Sequence, residues 1–158
     1  MRWPFRARSP DRSSFPVGEY RLDVPVDGLT GLIEFSSTEY ATMDRVFEGE
    51  TNYNAPAVTF LDRPWNLMLG TVHGRIYKIA LHLVFSTKRE ASPVAMQALR
   101  HCTERLGKPS SRKTGLFIWD ASDGNVILQT AETAEGLAVN LFITSRGVRD
   151  LKRRRAGS

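Results

Sequence analysis

Residues 65–86 read WNLMLGTVHGRIYKIALHLVFS, and this stretch decides the fold because it contains two strands and the turn between them. After Gly74 apolar side chains occupy every second position, which predicts a half-buried strand. The residues that we expect to face the core are Tyr77, Ile79, Leu81, Leu83 and Phe85. Matching apolar residues across the turn favours a three-residue loop, 72–74, which pairs Leu69 with Tyr77 and Leu67 with Ile79.

A long helix follows this hairpin. Ser92 suits the N-cap position and Pro93 the first helical position. Gly107 and Pro109 are typical of a helix end. We therefore predict a helix over about 93–106. Its expected apolar stripe consists of Met96, Leu99, Thr103 and Leu106, widened by Ala95 and Cys102.

Further alternating stretches predict strands on either side of the hairpin and helix. They cover residues 19–26, 32–35, 57–61, 115–119, 126–130 and 136–144. The register of the 116–130 hairpin stays open, because both faces of its first strand are apolar. Ser36 and Glu39 form a capping-box pattern that predicts a short helix near 37–47. Strands follow strands without βαβ alternation, so we predict an α+β fold, with two layers and a mainly antiparallel sheet of about 6–8 strands carrying the long helix on one face.

The positive charge of the chain lies at its two ends. Residues 1–12 contain four arginines and one aspartate, and residues 146–158 contain six basic residues and one aspartate. Because the whole chain carries +5, residues 13–145 carry −3. We predict a basic N-terminal arm at 1–15, one domain at 16–145, and a basic C-terminal tail, for which a short frayed helix is one interpretation. The basic residues of interest are Arg2, Arg6, Arg8, Arg149, Lys152, Arg153, Arg154 and Arg155.

The composition is that of an ordinary single-domain globular protein. Cys102 is the single cysteine, so no disulfide within the chain is possible, which suits a reducing compartment. Residues 1–15 have arginines where a secretory signal needs an apolar run. No stretch approaches the roughly 18 apolar residues of a membrane span. We therefore expect a cytoplasmic protein.

No catalytic, cofactor or metal motif is supported by its spacing. His101 and Cys102 are adjacent on the predicted helix, so their side chains point about 100° apart and form no dyad. Residues 120–125, DASDGN, contain the residue types of a calcium loop, but Gly124 is the fifth residue and the twelfth is Ala131. We assign no catalytic residue, no cofactor and no metal ligand.

The sheet face opposite the long helix is the first candidate site. We expect it to carry Met68, Lys78, His82, Asn140 and Phe142, provided that their strands share one sheet. Such a half-apolar face can bind a protein partner or a second copy, and it can also be simply solvated. The main hypothesis is a non-enzymatic protein-binding or accessory module.

Two alternatives stay open. In the first, the basic segments bind nucleic acid or an anionic membrane surface. The simpler interpretation of these segments is that their charges are solvated and bind nothing. In the second, the protein is an enzyme with a site near His82 and Lys78, which a pocket holding a carboxylate beside either residue would support. No small-molecule ligand is indicated.

Overall fold

The computed structural model describes residues 12–35 and 49–146. Within these ranges the chain forms one eight-stranded antiparallel sheet and one helix, which confirms the α+β prediction. The strands are β1 (Ile33–Phe35), β2 (Glu50–Phe60), β3 (Arg63–Val72), β4 (Arg75–Phe85), β5 (Ser111–Lys113), β6 (Leu116–Asp120), β7 (Gly124–Thr133) and β8 (Gly136–Ser145). Helix α1 (Lys88–Leu106) connects β4 to β5. The short helix predicted near 37–47 lies outside the described residues.

The sheet consists of two four-stranded meanders joined edge to edge. Its strand order is β1-β2-β3-β4-β8-β7-β6-β5, so neighbours in sequence are neighbours in space except where β4 meets β8. There Ile79 pairs with Ile143 and Leu81 with Leu141. Because α1 is the connection between the two meanders, this long-range pairing closes the fold.

The β3–β4 hairpin differs from the predicted register. Its loop has two residues, His73 and Gly74, with φ of 50° and 75°, and Val72 pairs with Arg75. Both residues therefore have the left-handed backbone conformation that a type I′ turn requires. Further along, the register shifts by one residue between Gly70 and Thr71, so that Leu69 pairs with Ile79 and Leu67 with Leu81. The predicted three-residue loop is therefore wrong.

This register shift is a β-bulge that changes which residue at the start of β4 enters the core. The extra residue is Tyr77, which lies between the pairs Thr71–Ile76 and Gly70–Lys78. Ile76 belongs to the core cluster, whereas Tyr77 is buried elsewhere and is not part of that cluster. The prediction that Tyr77 shares the core with Ile79 is thus wrong, because a bulge shifts the two-residue alternation by one position.

Helix α1 begins five residues before the predicted start. Thr87 is its N-cap, and the Thr87 hydroxyl accepts a hydrogen bond from the Glu90 amide at 3.2 Å. Pro93 lies inside the helix, and Gly107 ends it, as predicted. The buried stripe is Ala91, Val94, Ala98, Cys102 and Leu106, while Met96 is 55% exposed. Of the predicted stripe, Cys102 and Leu106 are buried, and Ala95 and Leu99 pack partly buried against the core, whereas Met96 and Thr103 are exposed.

One core cluster contains residues of α1 and alternate residues of the strands, and we call the side of the sheet that these strand residues share the core face. The helix contacts β4, β6, β7 and β8, and its buried residues belong to the same cluster as the strand residues. The strand residues of that cluster include Leu67, Leu69, Ile79, Leu81, Val126, Leu128, Val139, Leu141 and Ile143. Trp65 and Trp119 are also fully buried, and their indole N–H groups donate to the carbonyls of Phe60 and Gly107. The β6–β7 pairing of Trp119 with Val126 settles the register that the sequence left open.

Two segments differ from the predicted strands. Residues 19–26 form only isolated bridges, in which Pro25 pairs with Arg75, instead of the predicted half-buried strand. The Asp23 amide donates a hydrogen bond to the Ile76 carbonyl, and the Val26 amide donates to the carbonyl of Gly74, just before β4. Strand β2 begins at Glu50, well before the start of the strand predicted at 57–61.

The segment beginning at residue 12 packs on the folded domain. Phe15, which the sequence analysis assigned to the basic arm, lies in the core and is 3% exposed. Its ring meets the rings of Phe60 and His101 at centroid distances of 5.9 and 5.0 Å. The neighbouring Ser14 donates from its amide and its hydroxyl to the two carboxylate oxygens of Asp123, at 2.8 and 2.6 Å. These contacts attach the segment to α1 and to the β6–β7 loop.

The two-residue turn makes Gly74 sensitive to substitution. A Cβ at this position would meet no atom within 4 Å, so the only penalty of Gly74→Ala is its φ of 75°. We expect this variant to lower the free energy of unfolding by about 1–2 kcal/mol. His73→Asn should raise the free energy of unfolding, because Asn-Gly is the preferred residue pair for a type I′ turn. Urea unfolding of both variants tests the turn, and a neutral Gly74→Ala would contradict it.

His101 makes the docking of the N-terminal segment dependent on pH. Burial, and secondarily the charge of Arg105, lowers the pKa of His101 below its usual 6.5, although Glu104 partly opposes this. Below pH 6.5 the unfolded chain therefore binds more protons than the folded chain, so stability falls as the pH drops. We expect His101→Phe, which keeps an uncharged ring beside Phe15, to lose less stability between neutral and acidic pH. Equal pH slopes for the two proteins in thermal unfolding would refute this.

Candidate functional site

An apolar row crosses the sheet on the side opposite the core face, which we call the outer face. Directly paired residues on β3, β4, β8, β7 and β6 form this apolar row. Its members are Met68, Ala80, Phe142, Ile127 and Ile118. Because neighbouring strands lie about 4.8 Å apart, the apolar row extends for about 19 Å. It exists because the two-residue alternation that sends Leu81 and Leu141 to the core sends Ala80 and Phe142 to the outer face.

Two polar rows flank the apolar row. On one side, paired carboxamide and imidazole side chains cross four strands, which we call the amide row. It consists of Asn66, His82, Asn140 and Gln129. On the other side the paired residues are Gly70, Lys78, Thr144, Asn125 and Asp120. Among the described residues of these three rows, Lys78 and Asp120 are the side chains with a formal charge at neutral pH, and their charges are opposite in sign.

The charge of Lys78 is directed towards the apolar row. Its ammonium nitrogen lies 5.2 Å from the ring centroid of Phe142. At this distance the negative face of the aromatic ring attracts a cation. The contact therefore attracts the ammonium group of Lys78 to an aromatic member of the apolar row.

His82 and Asn140 form a pair within the amide row. The His82 Nδ1 and the Asn140 side-chain oxygen share a hydrogen bond across the β4–β8 pair. An amide oxygen can only accept, so the imidazole Nδ1 is the donor in this hydrogen bond. The pair therefore joins polar groups of β4 and β8 at the middle of the amide row.

A small, partly open cavity of about 50 Å³ lies beside one end of the apolar row. It is lined by Phe35, Asn52, Met68, Leu69, Gly70, Lys78 and Ala80. The Tyr77 ring lies over the adjacent Gly70, where a Cβ would come within 2.8 Å of a ring carbon. The Tyr77 hydroxyl donates to the carboxylate of Glu50, and burial together with this contact raises the Tyr77 pKa well above its usual range. The described lining of the cavity contains no carboxylate.

The geometry separates the two residues of the enzyme hypothesis. Lys78 and His82 lie on the same face of β4 with Ala80 between them, so their Cα atoms are about 13 Å apart. Two groups that act on one reacting atom must both come within hydrogen-bond reach of it. The described partners of these side chains are the Phe142 ring for Lys78 and an amide oxygen for His82.

The other chemical candidates have structural roles. Cys102 is fully buried, and burial raises the pKa of its thiol to about 12, so it is not a thiolate at neutral pH. His101 packs between Phe15 and Phe60. In the loop that has calcium-binding residue types, the Asp123 carboxylate accepts both hydrogen bonds from Ser14. Among residues 12–35 and 49–146, no three His, Cys, Asp or Glu side chains are grouped as metal ligands would be.

The structure brings together all five residues proposed for the sheet face. Met68, Lys78, His82, Asn140 and Phe142 lie on the outer face of three neighbouring strands. Sequence analysis missed Ile127 and Ile118, which extend the apolar row, because the hairpin register was undecided. The eight named residues of the basic segments lie outside the described residues.

Comparison of the chain with protein-family models, curated proteins and solved structures found no match. In the part of the chain that the structure describes, no helix has the length and apolar character needed to cross a bilayer.

The contact of Tyr77 with Gly70 predicts an energetic coupling at the cavity. In Gly70→Ala the new methyl group would displace the Tyr77 ring, which should cost about 1–3 kcal/mol of folding free energy. In a Tyr77→Ala background the same substitution should cost much less, because the ring is gone. A double-mutant cycle measured by denaturant unfolding gives the coupling energy. A coupling of zero would show that the ring does not cover Gly70.

Proposed function

We propose that the protein is a non-enzymatic binding module that docks a protein surface on its outer face, and that this surface is the outer face of a second copy. In this arrangement α1 covers the core face, so the outer face is available to the partner. It is carried by the apolar row, whose five members are direct neighbours across five strands.

The size of the outer face suits an interface between two copies. Strands β3, β4, β7 and β8 each have 10 or 11 residues, and with β6 they present a surface on the order of 700 Å². A standard protein interface buries about 800 Å² on each partner. Two such faces packed together would form a second core about 10 Å thick, as in a β-sandwich.

The chemistry of the outer face is complementary to itself. Carboxamide groups both donate and accept hydrogen bonds, so the amide row can pair with the same row of another copy. An apolar centre with a polar rim is the usual anatomy of a protein interface. The three rows carry one lysine, Lys78, and one carboxylate, Asp120, whose charges are opposite in sign, so net repulsion between two copies is small.

Charged substitutions in the apolar row should separate the copies. We expect the wild-type chain to sediment at twice its 17.8 kDa mass at sufficient concentration. Phe142→Asp and Ile127→Lys should each weaken self-association by at least about tenfold, because a charge at the centre of an interface loses its hydration. Sedimentation equilibrium measures both the mass and the dissociation constant.

Met96→Asp is the matched control, since Met96 is an exposed apolar residue on α1 and lies away from the outer face. It should leave self-association unchanged. Circular dichroism and thermal unfolding verify that each variant is folded. A wild-type chain that stays monomeric at high concentration would refute the proposal that a second copy binds the outer face. The wild-type chain could instead capture a different protein that Phe142→Asp no longer binds and Met96→Asp still binds. That result would show that the outer face is the binding site and that the captured protein, not a second copy, is its partner.

A further inference from the structure

Strand β5 forms one edge of the sheet, and its outer side has no neighbour among the described strands. The strand is short and pairs with β6 through three residues, Ser111, Arg112 and Lys113. The side chains of Arg112 and Lys113 are exposed. An edge strand presents backbone N–H and C=O groups with which a further strand can pair. β5 is therefore a place where this sheet can be extended.

The pairing pattern of β6 shows which backbone groups of β5 point to the open side. The Gly115 carbonyl accepts from the Thr130 amide of β7, so the odd-numbered residues of this stretch bond towards β7. The Ile118 carbonyl accepts from the Ser110 amide, so the even-numbered residues bond towards β5. Because the two directions alternate along a strand, the N–H and C=O of Arg112, which lies opposite an odd-numbered residue, point away from β6.

Basic side chains are concentrated beside this edge. The stretch 100–113 has five exposed basic residues and one exposed acidic residue, Glu104. The five are Arg100, Arg105, Lys108, Arg112 and Lys113. The Arg12 guanidinium adds a sixth positive charge, because a Cβ on Gly107 would lie 3.1 Å from one of its nitrogens. The other described residues include seven basic and eleven acidic side chains, so the described part of the molecule has one basic end and is acidic elsewhere.

A series of contacts joins the end of α1 to the β5 edge. The Trp119 indole N–H donates to the carbonyl of Gly107, the residue that ends α1, at 3.0 Å. The Trp119 ring stacks on the Phe117 ring with centroids 6.2 Å apart. The Arg112 guanidinium carbon lies 5.6 Å from the centroid of the Phe117 ring. The basic residues at the end of α1 and those of β5 therefore belong to one surface.

Each group of charges also has a structural explanation. Basic residues in the last turn of a helix stabilise its dipole, which accounts for Arg105. Charged residues on an edge strand discourage pairing between copies, which accounts for Lys113. Neither explanation requires the two groups to meet, and neither requires Arg12 to reach Gly107 from a distant part of the chain.

An acidic peptide in an extended conformation matches both properties of this end. Its backbone can pair with the outward N–H and C=O of Arg112, as in the addition of a strand to a sheet edge. Its carboxylates are complementary to the basic side chains on either side. Nucleic acid would use the charges but not the backbone groups, and a second copy of β5 would bring like charges together.

We propose that β5 binds an acidic segment of a partner protein as an added strand of the sheet. The Arg112 backbone forms the central hydrogen bonds, while Arg105, Lys108 and Lys113 lie beside the carboxylates of the bound segment. The site uses the backbone edge of the sheet, so it does not depend on the proposed contact between two outer faces.

The test measures binding of a labelled peptide to the full chain by fluorescence anisotropy. The probe is a peptide of about nine residues, the length of a typical long strand, in which Glu alternates with Val. We expect saturable binding that weakens as salt is added. The same peptide with Lys in place of Glu should not bind. A peptide with the same side chains and all backbone amides N-methylated should bind at least about tenfold more weakly, because it lacks the N–H donors.

Variants of the chain separate the charge of Arg112 from its backbone. Arg112→Gln removes the charge alone and should weaken binding about two- to fivefold. Arg112→Pro also removes the outward N–H, which an edge strand tolerates, and should weaken binding at least about threefold further. Replacing Arg105 and Lys108 together by Gln should weaken binding about three- to tenfold.

Arg89→Gln is the matched control. Arg89 is an exposed basic residue in the first turn of α1, about 24 Å along the helix from Arg105 and well beyond a Debye length. This variant should leave peptide binding unchanged. Circular dichroism and thermal unfolding of every variant separate loss of binding from loss of folding.

Four results would overturn the proposal. Absence of saturable binding by the Glu peptide would show that the charges only protect the edge. Equal binding of the N-methylated peptide, or equal affinities of Arg112→Pro and Arg112→Gln, would show that no strand is added. Tighter binding of a single-stranded oligonucleotide than of the Glu peptide would assign the basic end to nucleic acid. A monomeric wild-type chain would refute the contact between outer faces and leave this experiment intact.

Discussion

The pairing of β4 with β8 is the interaction on which both faces of the sheet depend. It joins two meanders whose other pairings are local, and it does so with Ile79 opposite Ile143 and Leu81 opposite Leu141. The same register places Ala80 opposite Phe142 on the outer face. A slip of one residue would exchange the two faces, so burial of the core determines the composition of the proposed interface.

The β3–β4 hairpin shows why the architecture could be predicted while its register could not. Alternating apolar residues identify both strands, but Ile76 and Tyr77 are both apolar, and either can face the core. A bulge at Tyr77 allows a short type I′ turn and apolar pairing together. Alternation gives no sign of a bulge within a strand, so matching apolar residues across the turn assigns the extra residue to the loop.

The outer-face residues were predictable because they follow from strand alternation alone. Phe142 and Asn140 lie on the opposite face from Leu141 whatever the neighbouring strand is. The start of α1 was not predictable, since Thr87 and Ser92 are both good N-caps and tertiary packing of Ala91 and Val94 decides between them. The docking of Ser14 on Asp123 spans 109 residues and leaves no local pattern, so this contact becomes visible only in the folded chain.

Concentration-dependent oxidation of two methionines tests the central claim, that the outer face is a contact surface between copies. Met68 belongs to the apolar row, whereas Met96 is 55% exposed on α1 and serves as an internal reference. Oxidation by dilute peroxide, read by mass spectrometry on the wild-type chain, should slow at Met68 as protein concentration rises and stay constant at Met96. A Met68 rate that does not change with concentration, up to the highest that can be reached, would contradict the account.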